Sequence, residues 1–115
     1  MSRARPEAKI QEAVVAHLRQ RAPKNCFWFH PPNGGYRHPR EAAAFKRMGV
    51  RAGVPDLILL HDGKLHALEL KAAGGRSTVA QLDARSEIDA AGGFASEAVG
   101  LDRALAVLES WGLLK

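Results

Sequence analysis

Apolar residues recur along this chain at two spacings, which together predict eight secondary-structure elements. Between residues 6 and 21, Ile10, Val14 and Leu18 recur every four residues, the spacing of one helix face. Short runs rich in branched and aromatic residues predict strands. The predicted elements are, in order, a helix at 6–21, a strand at 26–30, a helix at 39–48, strands at 55–61 and 64–71, a helix at 78–91, a strand at 94–99 and a helix at 101–111. This order predicts one α/β domain over residues 1–115, with a mixed sheet flanked by helices.

The clearest predicted element is a β-hairpin in which Asp62-Gly63 joins the two central strands. An Asp-Gly pair between two apolar runs favours a two-residue type I′ turn. With this turn, the numbers of facing residues sum to 125, so Asp56 lies opposite Glu69. The two carboxylates are expected to face each other with their Cβ atoms about 4.5–5.5 Å apart. Lys71, two residues beyond Glu69, is expected on the same face of the sheet.

Two facing carboxylates predict a metal site. Like charges in direct register repel each other unless a cation binds between them. Carboxylate oxygens suit Mg²⁺ or Mn²⁺, and Mg²⁺ uses few protein carboxylates together with waters and substrate phosphates. Lys71 beside such a site can orient or help deprotonate an attacking water, or stabilise negative charge on a phosphate. The alternative is that Lys71 only neutralises a carboxylate pair near the end of a strand.

The charge of +5 is distributed unevenly along the chain. Residues 1–51 contain eleven lysines and arginines and three glutamates, a net charge of +8. Residues 52–115 contain six basic and nine acidic residues, a net charge of −3. A basic half beside an acidic half is typical of a polyanion-binding face next to a carboxylate-containing site. A solvated basic surface on an ordinary globular protein explains the composition equally well.

The remaining composition excludes several other classes of protein. The single cysteine, Cys26, excludes an internal disulfide and a multi-cysteine zinc site, and it is expected to be a buried structural thiol. The longest apolar runs, such as 57–60, are too short to cross a membrane. The basic N-terminal residues lead into no apolar signal segment, so a cytoplasmic protein is expected. Two histidines that flank the hairpin turn, His61 and His66, are expected to face solvent.

The motifs around the hairpin resemble those of a nuclease family. Gly53-Val54-Pro55-Asp56 and, thirteen residues after the aspartate, Glu69-Leu70-Lys71 resemble the signature of the PD-(D/E)XK nucleases. The wider sequence resembles the virus-type replication-repair branch of that superfamily, the VRR-NUC domain. The resemblance covers nearly the whole chain and is carried by residues 6–11, 32–35, 48–56 and 69–81.

The resemblance implies a restriction-endonuclease-like PD-(D/E)XK core, in which helices flank a central mixed sheet. It also implies hydrolysis of phosphodiester bonds by a metal-activated water. Asp56, Glu69 and the backbone carbonyl of Leu70 would bind Mg²⁺, for which Mn²⁺ can substitute. Lys71 would position the water. No organic cofactor is expected.

Two further catalytic residues are expected on the helices before and after the hairpin. Gln81 matches a glutamine that the family places after the second strand, and it fits a capping box with Thr78 equally well. Glu7 and Glu12 both qualify as the glutamate that the family places on its first helix. At about 100° per residue, Glu7 lies on the side of Ile10, whereas Glu12 lies about 200° away. Glu7 is therefore expected to point inward and to join the metal site, directly or through a water.

Contacts to DNA are expected in and after the loop that follows the first strand. Asn33 and Gly34 could bring backbone N–H groups close to a phosphate, although an ordinary turn explains them equally well. His30 and His38 bracket this loop, and either could contact a phosphate, although nothing in the sequence requires them for catalysis. The basic side chains nearest the loop are the expected phosphate contacts, namely Arg37, Arg40, Lys46, Arg47 and Arg51.

The favoured function is a structure-selective DNA endonuclease. Small members of this branch resemble Holliday-junction resolvases, and cutting two symmetric strands requires two sites related by a two-fold axis. A homodimer on branched DNA is therefore expected, with Trp28, Trp111 and 113–114 as the first candidates for its contact; burial within the monomer explains them equally well. The alternatives are a nuclease for flaps, nicks or duplex DNA in phage or mobile-element replication, and a non-catalytic DNA-binding module. Residues 83–97 are more polar than the resemblance leads one to expect.

Overall fold

The computed structural model describes residues 6–32 and 38–115, and the predicted elements follow one another there in the predicted order. They are α1 (Pro6–Arg21), β1 (Cys26–Phe29), α2 (Pro39–Arg47), β2 (Leu57–His61), β3 (Lys64–Lys71), α3 (Val79–Ala90), β4 (Phe94–Val99) and α4 (Leu101–Ser110). The largest difference from the predicted bounds is at β2, which was expected from residue 55 and begins at Leu57. None of the helices in the described part of the chain is long and apolar enough to cross a bilayer.

The four strands form one mixed sheet in the order β1-β2-β3-β4. β2 pairs antiparallel with β1 and β3, whereas β4 pairs parallel with β3 after the α3 crossover. The hairpin register runs from His61 opposite Lys64 to Leu57 opposite Leu68, as predicted. Its turn has φ values of 51° at Asp62 and 72° at Gly63, and positive values at both positions define the predicted type I′ turn.

The main core lies between one face of the sheet and the helices α1 and α4. Val14 and Leu18 of α1 are fully buried there, as the helical stripe predicted, together with Leu108 of α4. From the sheet, Leu68 and Leu70 point into this core. Because successive strand residues point to opposite faces, the side chains of residues 69 and 71 project from the other face, which α3 covers in part.

The same core contains the residues first considered for a dimer contact. Leu113 is fully buried and Leu114 nearly so, while Trp28 and Trp111 pack against the cluster. Leu113 and Leu114 are therefore not available for contact with a second chain, whereas Trp28 and Trp111 are only partly buried, and a contact through them stays untested. Burial within the monomer, the other explanation of the pattern, accounts for the two leucines.

His66 is buried rather than solvent-facing, so that expectation is also wrong. Its ring stacks on Phe94 with centroids 5.3 Å apart and contacts Trp111 at 5.1 Å. Burial lowers the pKa of His66, and the neutral ring can donate from Nδ1 to the Leu59 carbonyl at 3.4 Å. Proximity to a turn suggested exposure, but the side chain lies on the core face of β3.

Several polar residues at 83–97 form hydrogen bonds that join α3 to the segment before it and to β4. Arg85 donates to Ser77 Oγ at 3.0 Å, and Ser77 donates to Glu97 Oε1 at 2.6 Å. Asp89 Oδ1 accepts from the backbone N–H of Ala95 at 3.0 Å, which joins the end of α3 to β4. These bonds fix α3 on the sheet although Ala84 is the only buried side chain of that helix.

Candidate active site

Asp56 lies where the β2–β3 ladder ends, one residue before β2. Its Oδ2 accepts a hydrogen bond from the backbone N–H of Leu70 at 2.7 Å. This side-chain bond takes the place of the next backbone hydrogen bond between β2 and β3. A strand residue directs its N–H and C=O toward the same neighbouring strand, and the Leu70 carbonyl therefore faces the side of Asp56. The predicted metal-binding groups of these two residues lie together.

Glu69 is buried in an apolar sheet and faces Asp56. The residue is 2% exposed, and its Oε2 accepts from Gln81 Nε2 at 3.2 Å and lies 3.9 Å from Lys71 Nζ. Its Oε1 is buried without a hydrogen-bond partner among the described residues. Burial raises the pKa of Glu69 to about 8, helped by the charge of Asp56 and by the hydrogen bond that a protonated Glu69 can donate to it, while Lys71 and Arg85 act in the opposite direction. The unpartnered oxygen is therefore a feature of the ionised carboxylate.

Lys71 is held by α3 rather than only by the carboxylates. Its Nζ donates to Gln81 Oε1 at 2.8 Å, and the side chain is 7% exposed. The same Oε1 accepts the backbone N–H of Thr78 at 2.9 Å, and Thr78 Oγ1 accepts the N–H of Gln81 at 3.1 Å. Gln81 therefore completes the predicted capping box, which is confirmed, and it also contacts Glu69 and Lys71. Its part in catalysis stays a prediction that this geometry allows.

The loop before Asp56 packs directly against the start of α3. Gly53 has a φ of +80°, and a Cβ there would overlap the backbone of Ala80 and lie 2.6 Å from the N atom of Gln81. Between this loop and the sheet is a cavity of about 280 Å³, whose wall includes Asp56 and Glu69 as well as Gln81. Glycine at position 53 lets the loop approach α3 closely enough to close one side of this candidate catalytic cavity, called the catalytic cavity below.

The donor set fits a hard divalent cation that keeps most of its waters. An unpartnered, buried Glu69 oxygen beside Asp56 is an unsatisfied acceptor, which a cation would stabilise. The described residues contain no group of three or more His, Cys, Asp or Glu side chains that could hold a metal. Mg²⁺ is the ion that commonly binds through one or two carboxylates. Asp56, Glu69 and the Leu70 carbonyl could hold it.

The predicted inward orientation of Glu7 is wrong, because Glu7 is exposed, like every described residue up to Lys9. The helical angle does place Glu7 on the side of Val14, but the first turn of α1 extends past the end of the core. Glu7 does not line the cavity at Asp56, so a part in metal binding would have to run through water or substrate.

The predicted DNA-contacting residues fall into three groups. Asn33, Gly34 and Arg37 lie outside the described residues. Arg40, Lys46 and Arg47 are exposed on α2, none of whose residues is buried, and His38 caps this helix by accepting the N–H of Arg40 at 3.1 Å. Arg51 is exposed but forms a two-bond ion pair with Glu87, at 2.6 Å and 3.2 Å.

Sequence reasoning missed His30 and Arg85. His30 Nδ1 donates to the Asp56 carbonyl at 2.6 Å, and its ring lines the catalytic cavity. Arg85 lowers the pKa of Glu69 through its charge. The position of His30 directly after β1, the neighbour of β2, was a usable signal for the first. The second depends on how α3 lies on the sheet, which no local pattern reveals.

A solved structure of a VRR_NUC domain protein has the same fold as this chain. The two superpose with a TM-score of 0.75 at 27% sequence identity, over 96% of this chain and 90% of the other. No protein-family model and no curated protein matches the sequence. The structural likeness confirms the resemblance seen in the motifs and the α/β fold with its mixed sheet, and it supports a nuclease family.

Proposed function

We propose that this chain, which has the fold of a VRR-NUC domain, is a metal-dependent endonuclease that hydrolyses phosphodiester bonds in DNA. The observation that carries the proposal is the unpartnered Oε1 of Glu69, which is buried beside Asp56 and Lys71. A buried acceptor without a partner destabilises a fold, and a pair of facing carboxylates destabilises it further. A module that only binds DNA has no use for this arrangement.

In this proposal, Asp56, Glu69 and the Leu70 carbonyl hold Mg²⁺ or Mn²⁺. The bound ion would polarise the scissile phosphate and lower the pKa of the attacking water. Lys71 Nζ, fixed at 2.8 Å from Gln81 Oε1, would orient that water and stabilise the negative charge on the phosphate. The hydrogen bond that Lys71 donates to Gln81 holds the ammonium group 3.9 Å from Glu69 Oε2.

The exposed basic side chains of α2 would bind DNA phosphates outside the catalytic cavity. Arg40, Lys46 and Arg47 lie on a helix that buries no residue of its own. Side chains on such a helix can contact a polyanion without disturbing the core. Arg51 would contact DNA only by sharing or exchanging its partner Glu87.

We propose further that two copies associate through the sheet face that carries the catalytic pair. Phe27, Leu60 and Leu65 lie side by side across three strands of this face and are exposed, Phe27 to 66%. The ring of Phe29 lies 5.9 Å from that of Phe27 and extends the patch. An apolar surface offers nothing to phosphates but suits a second copy, and a two-fold dimer would set two sites at a fixed spacing for a four-way junction.

The test is cleavage of labelled junction, flap and linear duplex DNA with and without Mg²⁺. Asp56→Asn and Glu69→Gln should abolish cleavage and leave DNA binding intact or tighter, whereas Asp102→Asn on the remote α4 should cleave normally. Cleavage by either site variant would contradict the proposed site. Preference for the junction over the flap would support resolvase activity, and the reverse order would favour a flap nuclease.

Association is tested by sedimentation equilibrium. The double variant Phe27→Ser/Leu60→Ser should lower the association constant, while Met48→Ser, which removes an exposed apolar side chain elsewhere, should not. A wild-type protein that sediments as one chain alone, and as one chain per junction with DNA, would contradict the dimer and with it the proposed resolvase activity.

A further inference from the structure

A second cavity lies beside the catalytic one, along the flank of α1. Its volume is about 480 Å³, within the range of about 300–1,000 Å³ that small-ligand sites occupy. Ala8, Gln11, Glu12, Val15 and Arg19 line it at steps of three and four residues, so they form a helical stripe distinct from the core stripe of Val14 and Leu18. The helix therefore uses one face for the core and another for this cavity.

His30 forms the wall shared by the two cavities. Its ring lines both, and its Nδ1 lies 2.6 Å from the backbone oxygen of Asp56. A carbonyl oxygen only accepts, so Nδ1 carries the hydrogen in this bond and the ring is oriented by it. A ligand group in the second cavity is thus separated from the catalytic pair by a single side chain. A nucleic-acid strand, whose bases and phosphates repeat at regular spacing, could place successive groups in the two cavities.

The chemistry of the second cavity matches one nucleotide. Ala8 and Val15 provide apolar surface for a base, and the amide of Gln11 can bond a base edge. Arg19 supplies a cation for a phosphate. Neither Glu12 nor Arg19 makes an ion pair with any residue that the structure describes. The carboxylate of Glu12 only accepts hydrogen bonds, which favours a base with an exocyclic amino group.

We propose that this cavity binds one unpaired nucleotide of the DNA strand next to the scissile phosphate. The inference rests on the proposed nuclease function and adds a substrate requirement to it. A base in a duplex has its hydrogen-bonding edge occupied and is stacked on both sides, so it can enter only when it is unpaired or turned out of the stack. The site would therefore select DNA with a single-stranded or distorted position beside the cut, as at a branch point.

The first experiment scans a single abasic residue through the cleaved strand. Loss of one bound base should lower kcat/KM about 5- to 150-fold at a single position and little elsewhere. Val15→Phe, which fills the cavity, should cleave intact DNA about as slowly as the wild type cleaves DNA that is abasic at the sensitive position. An abasic residue at that position should then cause no further loss of kcat/KM. Gln11→Leu is a second test should the larger residue disturb folding. Ala16→Phe, on the exposed side of α1, should retain the wild-type position dependence.

The second experiment needs no catalysis. The Asp56→Asn variant is titrated into oligonucleotides that carry 2-aminopurine at successive positions. The fluorescence of the 2-aminopurine should change on binding at one position only. In the double variant Asp56→Asn/Val15→Phe this change should be absent. A uniform response, or one that Val15→Phe leaves intact, overturns the nucleotide site even where Mg²⁺-dependent cleavage occurs. Absence of cleavage by the wild type overturns the nuclease proposal instead, and a position-specific signal would then still support the nucleotide site.

Discussion

Gly53→Ala is expected to damage both stability and catalysis, because this glycine sets the distance between the loop before Asp56 and the start of α3. The added Cβ would overlap the backbone of Ala80 and lie 2.6 Å from the N atom of Gln81. These are backbone atoms at the capped end of a helix, so they cannot rotate away as a flexible side chain would. Either α3 or the loop must move.

The magnitude follows from two separable costs. A residue with a Cβ at the φ of +80° found at Gly53 costs about 1–2 kcal/mol in conformational strain. Forcing extra atoms into a packed region adds about 1–3 kcal/mol. The free energy of unfolding should therefore fall by about 2–5 kcal/mol. A shift of Gln81 would loosen its bonds to Lys71 and Glu69, and a misplacement of about 1 Å can lower the rate about 10²-fold.

Gly49→Ala is the matched control, because Gly49 has a φ of +95° and nothing lies within 4 Å of an added Cβ. Gly49→Ala should therefore lower the free energy of unfolding only by the conformational strain of a positive φ, without the cost of overpacking. Urea unfolding of the three proteins gives the free energies, and single-turnover cleavage of labelled DNA by the folded fraction gives the rates. Equal destabilisation by the two substitutions, with an unchanged rate for Gly53→Ala, would refute the idea that close packing at Gly53 positions the site.

Four other predictions test the chemistry of the site and the basic surface of α2. Because the pKa of Glu69 is raised to about 8, Mg²⁺ affinity measured by calorimetry should fall about tenfold per pH unit below 8 and level off above it. The folded-state pKa also exceeds the unfolded value of 4.5, so Glu69 should contribute stability to the metal-free protein that is lost as pH rises between these values. The lowered pKa of His66 acts in the opposite direction, so the contribution of Glu69 is measured as the difference in stability between the wild type and Glu69→Gln, and a difference that does not change with pH contradicts the raised pKa. Lys71→Met should slow single-turnover cleavage about 10²–10⁴-fold with metal binding retained, and the opposite pattern would make Lys71 a structural counter-charge. Charge reversal at Arg40 or Arg47 should reduce the salt dependence of DNA binding by about one unit per lost phosphate contact, whereas unchanged slopes would mean that these charges only solvate the surface.

The parts of the site that the sequence predicted are those set by local rules. An Asp-Gly turn fixes the register of a hairpin, so the opposition of Asp56 and Glu69 follows from counting. A capping box fixes the side chain of its third residue relative to the first turn, which placed Gln81 on the start of α3. In both cases the decisive interactions lie within a few residues of one turn or helix end.

The parts that the sequence did not predict depend on how much of each helix or strand is covered by other elements of the fold. The angle of Glu7 around α1 is right, but an angle does not reveal where the core ends along the helix axis. His66 was assigned to solvent from its distance to the turn, although it shares a strand face with the buried Leu68. Its burial needs Phe94 and Trp111, which arrive from elements nearly thirty residues and more away.

The polar C-terminal third shows why the same limit applies to the electrostatics of the site. Glu97 is unfavourable for a strand and Arg85 adds to the polarity of α3, yet Ser77 joins the two side chains through bonds of 3.0 Å and 2.6 Å. That linkage fixes a cation on the face where Glu69 is buried, and its charge opposes the burial and the Asp56 carboxylate that raise the pKa of Glu69. A pKa near 8 leaves Glu69 largely protonated without metal and lets a cation displace the proton at moderate cost. The polar residues that set this region apart from the resemblance therefore help to set the protonation equilibrium on which the proposed metal binding would depend.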